Sequence, residues 1–273
     1  AMKKSGFSDN YAGAVEAVAS TVGQIMPPIM GASAFIMADM IGVPYMAIAK
    51  YAIIPALLYY TSVFAQIHFK AKSMRLNGFA KEELPKFFKD VILKQGLYIM
   101  PILIIIFMTL NGYSLMRAGL MAVLLVMALG LIFSNDRKQT AKDMVNALAK
   151  APENMGTVIA AVMCAGIIIG IVFISSLGLR LSAIIISASG GKLTFALLLT
   201  FVLAVILGMG MPTSGSYILM GTLLAPALVN MGLSTVQAHM FVFYFACMSS
   251  ITPPVAVAAY AAAGISGGNP AKT

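Results

Sequence analysis

Hydrophobic residues fall in long stretches along this chain, separated by short polar connections. The stretches Val43–Gln66 and Thr157–Leu179 each contain at most one charged side chain, and both exceed the roughly 20 residues that a helix needs to span a bilayer. A transmembrane β-barrel would instead alternate apolar and polar residues within strands of about 10 residues. The pattern therefore predicts an all-α integral membrane protein.

The same criterion predicts further membrane-spanning helices and one short amphipathic helix at the membrane interface. The uninterrupted spans are predicted at Pro44–His68, Ile92–Leu110, Leu115–Phe133 and Gly156–Leu179, and the interfacial helix at Thr140–Lys150. Other apolar segments are each broken near the middle by glycine, proline or hydroxyl residues: Tyr11–Val43, Leu193–Met231 and Thr235–Ile265.

Lysine and arginine concentrate in residues 70–94 and 137–150, two connections that the positive-inside rule assigns to the cytoplasm. Leu193–Met231 then enters and leaves the membrane on the outer side as a re-entrant helical hairpin. This topology divides the chain into regions: residues 1–68, the end of a first inverted repeat with a broken helix and one span; residues 69–152, basic loops, two connecting spans and the interfacial helix; and residues 153–273, a second inverted repeat with a span, the hairpin and a broken helix.

Two of the interruptions contain a Pro-Pro pair, Pro27-Pro28 and Pro253-Pro254, within similar surroundings: Gly-Gln-Ile-Met-Pro-Pro-Ile-Met and Ser-Ser-Ile-Thr-Pro-Pro-Val-Ala. Each pair removes two amide donors, so carbonyls upstream lose their helical partners and become available to a cation. Under the predicted topology the first break crosses outward and the second inward. That arrangement is typical of an inverted-repeat secondary transporter with its binding sites near the midplane.

Hard cations such as Na⁺ take oxygen ligands, and hydroxyl or carbonyl oxygens flank both Pro-Pro breaks. The candidate cation ligands at these breaks are Ser20, Thr21, Gly23, Gln24, Ser249, Ser250 and Thr252.

The interruption Gly208–Ser216 offers a different set of groups, because its glycines permit a tight turn. A half-helix predicted to start near Ser216 would present free amides there, and helix N-termini favour anionic groups such as a carboxylate. The hydroxyls of Thr213, Ser214 and Ser216 are candidate substrate contacts.

Composition narrows the possible functions further. The chain is 60% hydrophobic and 10% charged, with a net charge of +9, but no basic stripe with interleaved aromatics is present, so no nucleic-acid partner is expected. No serine nucleophile near a base and an acid, no phosphate-binding loop and no metal-ligand motif is found. We therefore expect neither an enzyme nor a bound cofactor, and no metal beyond sodium as the coupling ion.

Four ionisable residues lie near segment ends, and the sequence predicts a partner or a position for three of them. Asp39 is expected to pair with Lys50 across the short turn between them, and His68 and His239 are expected at the membrane interface. For Glu16, both a polar role inside the bundle and an interfacial position remain open.

The residues alone leave several functions open. A transporter with broken helices fits a cation-coupled importer, an anion exporter or a sodium/proton antiporter. A membrane enzyme predicts clustered catalytic acids or histidines at membrane depth, and a scaffold subunit predicts uninterrupted helices. The sequence lacks the first pattern and its breaks argue against the second.

The chain resembles the large membrane subunit of tripartite ATP-independent periplasmic (TRAP) transporters, of the fused-permease type. The segments that carry the resemblance are Met2-Lys3-Lys4-Ser5-Gly6-Phe7, Gly13–Ala17, Gly23–Phe35, Leu207–Pro226 and Phe241–Gly264. It implies a sodium-driven, elevator-type importer of small organic acids in a bacterial or archaeal inner membrane. The implied partners are a periplasmic substrate-binding protein and a small membrane subunit or fused N-terminal helices.

In that family each sodium site lies where a hairpin tip meets the unwound break of the next helix. The resemblance thus implies that the tip Gly208–Ser216 faces the break Ser249–Pro254, and that the break Ser20–Pro28 serves the first repeat. It adds Gly208, Gly210 and Thr213 as cation candidates, and Pro27, Pro212 and Pro253 as substrate candidates. The family's first hairpin tip would lie upstream of Ala1, so the chain is expected to be the C-terminal portion of the permease.

Overall fold

The computed structural model of the chain describes residues 2–76, 96–134 and 136–273, and these ranges are helical with no strand among them. A short 3₁₀ turn, Gly96–Ile99, precedes the fourth helix. The α-helices of the described ranges, numbered in chain order, are α1 Asp9–Val22, α2 Ala32–Ile41, α3 Tyr45–Ser73, α4 Met100–Leu110, α5 Leu115–Phe133, α6 Arg137–Ile174, α7 Leu177–Ala188, α8 Leu193–Gly208, α9 Thr213–Leu223, α10 Ala225–Asn230, α11 Thr235–Ser249 and α12 Val257–Ser266.

The prediction of an all-α protein is confirmed over the described residues. Helices α3 and α5 follow the predicted spans closely, and Tyr45–Ser73 and Met116–Phe133 are long and apolar enough to cross a membrane. The chain breaks between α1 and α2, between α8 and α9, and between α11 and α12, as the apolar segments predicted. The start of the span Ile92–Leu110 and most of the basic connection 70–94 lie outside the described residues.

Two predicted boundaries are wrong. The separate interfacial helix Thr140–Lys150 is instead part of the 38-residue helix α6, which contains Pro152. Strong helix formers on the N-terminal side of that proline, such as Leu148 and Lys150, favour continuation over a break. At its other end α6 stops at Ile174 rather than Leu179. Ser175 there donates its hydroxyl to the Val172 carbonyl, a local bond that competes with helix propagation.

The predicted pairing of Asp39 with Lys50 is also wrong. Both side chains are exposed, and the salt bridge found among the described residues joins Lys3 to Asp9 at 2.9 Å. Gly42, in the left-handed conformation at φ +69°, ends α2 between the two. Exposed charges gain little from pairing, since solvent screens them and an ordered contact costs side-chain entropy.

The chain forms two compact units, one of Ala1–Leu76 with Val158–Thr273 and the other of Asn77–Thr157. In the second, α4 packs against α5. In the first, α9 is central: it packs against α2, α7, α8 and α11, and eight of its eleven residues are buried. A helix buried on every side belongs to the interior of a bundle, so α9 is the element around which this unit is built. The three-region division and the inverted repeats stay predictions.

The largest fully buried side chains of this unit include Tyr217, Phe243, Met37, Ile48 and Leu224. They come from α2, α3, α9, α11 and the residue between α9 and α10, and they form one continuous cluster. Many leucine, isoleucine and phenylalanine side chains of α3 and α8 are exposed instead. Lipid solvates such surfaces, so the arrangement is that of helices facing a bilayer.

Helices α1 and α12 pack along each other, and polar contacts fasten their ends. The Lys3 ammonium donates to the Ser266 carbonyl at 2.7 Å, where a cation complements the C-terminal end of α12. The Asn10 side chain accepts from the Asn269 amide at 2.6 Å. Within the interface, a Cβ placed on Gly13 would lie 2.8 Å from Ser266 Oγ and 3.5 Å from the Ala262 carbonyl oxygen.

Gly13→Leu is expected to destabilise the protein by about 1–3 kcal/mol, the usual cost of overpacking a tight contact. The measurement is the thermal unfolding midpoint of the purified protein in detergent. Gly264→Leu is the matched control, because a Cβ on that α12 glycine meets nothing within 4 Å. Equal midpoints for the two variants would show that the α1–α12 contact does not limit stability.

Candidate functional site

A tight turn, Met209–Pro212, joins α8 to α9 and forms the tip of a helical hairpin. Gly210 lies in the left-handed region at φ +74°, which favours glycine. The first bond of α9 runs from the Ser216 amide to the Pro212 carbonyl at 3.0 Å. The amides of Thr213, Ser214 and Gly215 therefore precede it and have no intrahelical acceptor.

The predicted start of this half-helix near Ser216 is wrong by about one turn, because α9 begins at Thr213. Pro212, with φ −58°, stands immediately before the helix, and proline favours such positions because its amide is not needed there. The correction places the hydroxyls of Thr213 and Ser214 in the first turn of the helix rather than in the preceding loop.

The tip packs directly against the last break. A Cβ on Gly208 would lie 2.6 Å from Ser249 Oγ and 2.7 Å from Ser249 Cβ, and one on Gly210 would lie 3.5 Å from Val255 Cγ1. Only a residue without a side chain allows α8 to approach α11 this closely. The structure thus brings the Gly208–Ser216 tip and the Ser249–Pro254 break together, as the resemblance implied.

Two buried hydroxyls converge on the Gly208 carbonyl at this junction. Ser216 Oγ lies 3.3 Å from it and 3.5 Å from the Met211 carbonyl, while Ser249 Oγ lies 3.2 Å from it and 2.8 Å from the Ala246 carbonyl. Each hydroxyl has a single proton to share between its two acceptors. The result is a group of five neutral oxygens, the ligand type that hard cations take.

The last break satisfies its backbone with its own hydroxyls. Ser250 Oγ donates to the Cys247 carbonyl at 2.7 Å and Thr252 Oγ1 to the Met248 carbonyl at 2.8 Å. The Ala258 amide donates to the Ser250 carbonyl at 3.0 Å and closes the loop. Carbonyls predicted to be free upstream of the prolines thus accept hydroxyl protons, while the hydroxyl oxygens keep lone pairs to offer a ligand.

The first break is closed by a side chain from α3. The Tyr45 hydroxyl donates to the Pro28 carbonyl at 2.8 Å and accepts from the Met30 amide at 3.1 Å. The Gly31 amide donates to the Gln24 carbonyl at 2.8 Å. Nothing in the sequence marked Tyr45 for this role, because it lies beyond α2 and reaches the break only through tertiary packing.

The cation candidates at the first break are less enclosed than those at the last. Ser20 and Gly23 are exposed, and Ser20 Oγ donates to the Glu16 carboxylate at 3.1 Å. Thr21 is buried, and its hydroxyl donates to the Ala17 carbonyl at 2.8 Å. Among the described residues, no hydrogen bond joins Ser20 or Thr21 to the hairpin tip. Glu16 itself is exposed rather than enclosed in the bundle.

The two Pro-Pro breaks share a backbone pattern. The Gln24 amide donates to the Thr21 carbonyl at 3.3 Å, and the Ser250 amide donates to the Cys247 carbonyl at 3.4 Å. The following isoleucine amides repeat this one residue later in both segments, and the Pro27-Pro28 and Pro253-Pro254 bonds are both cis. The recurrence seen in the sequence is therefore also a recurrence of backbone hydrogen bonds.

His239 is enclosed by the bundle near the start of α11, which the sequence did not predict; its interfacial position stays a prediction. It is 8% exposed, and its Nδ1 lies 2.8 Å from the hydroxyl of the fully buried Tyr217. The two residues are on different helices, α11 and α9, so no local periodicity pairs them. His68, in contrast, is exposed on α3. No cluster of three or more His, Cys, Asp or Glu suited to a metal ion occurs among the described residues.

Comparison with known proteins gives one finding that covers the chain. The family model described as the DctM component of tripartite ATP-independent periplasmic transporters matches residues 1–273. No curated protein matches the chain. The family match spans both Pro-Pro breaks and the hairpin, the parts of the chain that the geometry singles out.

Gly208→Ala is expected to push the hairpin tip away from α11, because the added methyl group would overlap Ser249. Hydrogen–deuterium exchange of peptides covering residues 206–216 should rise, with little change elsewhere. Gly119→Ala is the control, since a Cβ at that helical glycine meets nothing within 4 Å. If exchange at the tip is the same in both variants, the close contact does not hold the tip in place.

Proposed function

The chain belongs to the DctM component family of tripartite ATP-independent periplasmic transporters, and from this premise we propose that it couples sodium entry to the import of small organic acids. It is a membrane permease component of such a transporter. The observation that carries the sodium proposal is the junction of the hairpin tip with the last break. There Gly208, Ser216 and Ser249 gather neutral oxygens in a buried position.

The part of the chain that forms this junction carries no carboxylates, which bears on the ion it would take. Residues 154–273 contain no Asp or Glu. Divalent cations are usually held by carboxylates, whereas a site of neutral carbonyl and hydroxyl oxygens suits a monovalent ion. Proton coupling through a membrane-embedded acid also lacks its usual residue in this part of the chain. Both points favour sodium over calcium, magnesium or a carboxylate-borne proton.

The proposed sodium ligands at the junction are oxygen atoms from both the hairpin tip and the last break. Thr213 is the side chain best placed to respond to an ion: it is partly exposed at the tip, and its hydroxyl makes no hydrogen bond among the described residues. Ser249, Ser250 and Thr252 contribute from the break. Other proposed contacts are the backbone of Gly208 and Gly210 and, for a site in the first repeat, Ser20, Thr21, Gly23 and Gln24.

The substrate proposal depends on the N-terminal end of α9. Its first amides have no intrahelical acceptor and lie at the positive end of the helix dipole, which attracts a carboxylate. Thr213 and Pro212 are accessible at the tip, whereas Ser214 and Ser216 are buried. The two serines are proposed to contribute to substrate binding from beneath the tip surface. Pro27 and Pro253 complete the proposed substrate contacts from the two breaks.

Family membership implies, in general, a periplasmic binding protein and a small membrane subunit as partners. We place this chain with them as a multi-pass component of the inner membrane that moves by an elevator mechanism. Export of an anion or sodium/proton exchange are the alternatives that the uptake assay below separates.

Uptake by the complete transporter with its binding protein, reconstituted in proteoliposomes, is expected to stop when the sodium gradient is collapsed. Thr213→Val should raise the sodium concentration for half-maximal uptake roughly tenfold, as expected for losing about 1.4 kcal/mol of ligand interaction. Val keeps the shape of Thr and removes only the hydroxyl, so the change isolates that oxygen.

Thr222→Val is the matched control on the same helix, because that hydroxyl donates to the Ile218 carbonyl and lies away from the tip. Uptake that persists without sodium and follows a pH gradient would reject the sodium proposal. An unchanged sodium dependence in Thr213→Val would reject the assignment of this residue.

A further inference from the structure

A buried polar pair, Tyr217 and His239, links the hairpin to the broken helix at a point separate from the tip contact. Tyr217 of α9 is fully buried, and its hydroxyl lies 2.8 Å from His239 Nδ1 of α11. Its ring meets Phe243 edge-on, with centroids 5.9 Å apart and planes at 90°. A Cβ on Gly221 would lie 3.4 Å from His239 Nδ1, so the absence of a side chain there leaves room for the pair.

The pair and the tip contact hold the two arms of the hairpin against α11 at separate heights: Tyr217 on α9 meets His239, and Gly208 at the end of α8 meets Ser249. Ser249 touches Gly208 at the end of α11, and His239 is ten residues earlier on that helix, which corresponds to about 15 Å along its axis. One contact alone lets a helix slide or rotate about it. Two contacts at different heights, one from each arm of the hairpin, fix both the rotation and the axial position of the hairpin against α11.

We infer that the Tyr217–His239 hydrogen bond is a positioning pair that holds the re-entrant hairpin in register with the broken helix, so that its tip meets Ser249. Among the described residues, no hydrogen bond joins either side chain to the tip turn. Ser216 connects the pair to the tip. It directly precedes Tyr217 in α9, and its hydroxyl donates to the Gly208 carbonyl. A shift of Tyr217 along α11 would carry Ser216 and the tip with it.

A disulfide between hairpin and break measures the register directly and without transport. In the full chain with Cys164 and Cys247 replaced by alanine, Gly210→Cys and Val255→Cys would place two thiols in reach, because a Cβ on Gly210 lies 3.5 Å from Val255 Cγ1 and 4.0 Å from Cγ2, the positions close to which the sulfur of a cysteine at 255 would lie. The quantity measured is the rate of cross-linking under mild oxidation. Any strain at position 210 is common to every variant compared.

Tyr217→Phe keeps the ring and its contact with Phe243 and removes only the hydroxyl; His239→Leu removes the partner. Each is expected to slow cross-linking about threefold to twentyfold, the range that one interhelical hydrogen bond in a membrane bundle corresponds to. Combining both should slow it no further than either alone, because they break the same bond. His239→Asn, which retains an oxygen acceptor near the Nδ1 position, should restore the rate.

Tyr244→Phe is the matched control, because this tyrosine is also on α11 and its buried hydroxyl has no partner among the described residues. It should cross-link at the parent rate. If Tyr217→Phe and His239→Leu also cross-link at the parent rate, the positioning role is overturned. Slow cross-linking in His239→Asn equal to that in His239→Leu overturns it as well, since the hydrogen bond would then not be what sets the register.

The expected effect on transport rests on the proposed function and is measured in a separate uptake assay. Without the added cysteines, Tyr217→Phe should raise the sodium concentration for half-maximal uptake by the same factor, whereas a merely structural role would lower the amount of folded protein and leave that concentration unchanged. Slowed cross-linking together with sodium-independent uptake would support the positioning pair and reject sodium coupling. The two inferences can therefore fail independently.

Discussion

Backbone amides and carbonyls inside a bilayer find no water, so every interruption of a spanning helix has to be satisfied by the protein itself. In this chain, side-chain hydroxyl groups form many of the hydrogen bonds that satisfy the backbone at the breaks. Ser250 and Thr252 bond carbonyls of the last break, and Tyr45 bonds the Pro28 carbonyl and the Met30 amide of the first. At the last break, the hydroxyl oxygens of Ser250 and Thr252 that stabilise the irregular backbone are also proposed to bind sodium. A sodium ion that binds there would replace existing hydrogen bonds rather than occupy a separate set of ligands.

A site without carboxylates depends on geometry more than on charge. Neutral oxygens attract a cation weakly one by one, so its affinity rests on how many of them reach it together. In the proposed site the close approach of Gly208, at the end of α8, to Ser249 would supply that convergence only while the hairpin keeps its register with α11. This is why a hydrogen bond as distant from the tip as that between Tyr217 and His239 matters to the proposed chemistry.

The sequence was sufficient for the features that are local in nature. The spans at α3 and α5 and all three breaks follow from runs of apolar residues and from proline and glycine, whose backbone effects act where they stand. The separate interfacial helix was wrong because the chain stays helical from Arg137 through Pro152 to Ile174. The Tyr217–His239 and Tyr45–Pro28 bonds, and the burial of His239, depend on which helices pack together. Their partners are 22 and 17 residues apart on separate elements, and no pattern in one sequence reports such a pairing.

The pairing of α1 with α12 has a consequence for how the protein is made. Lys3 and its acceptor Ser266 are 263 residues apart, and at synthesis rates of roughly 5–20 residues per second that separation corresponds to roughly 10–50 s. During this interval α1 exists without the helix that covers it. Its small-residue face at Gly13 is then open to lipid or to other newly inserted helices. Helix α1 cannot pair with α12 until residues 257–266 have been made, which makes the nascent chain, rather than the mature protein, the stage most exposed to wrong partners.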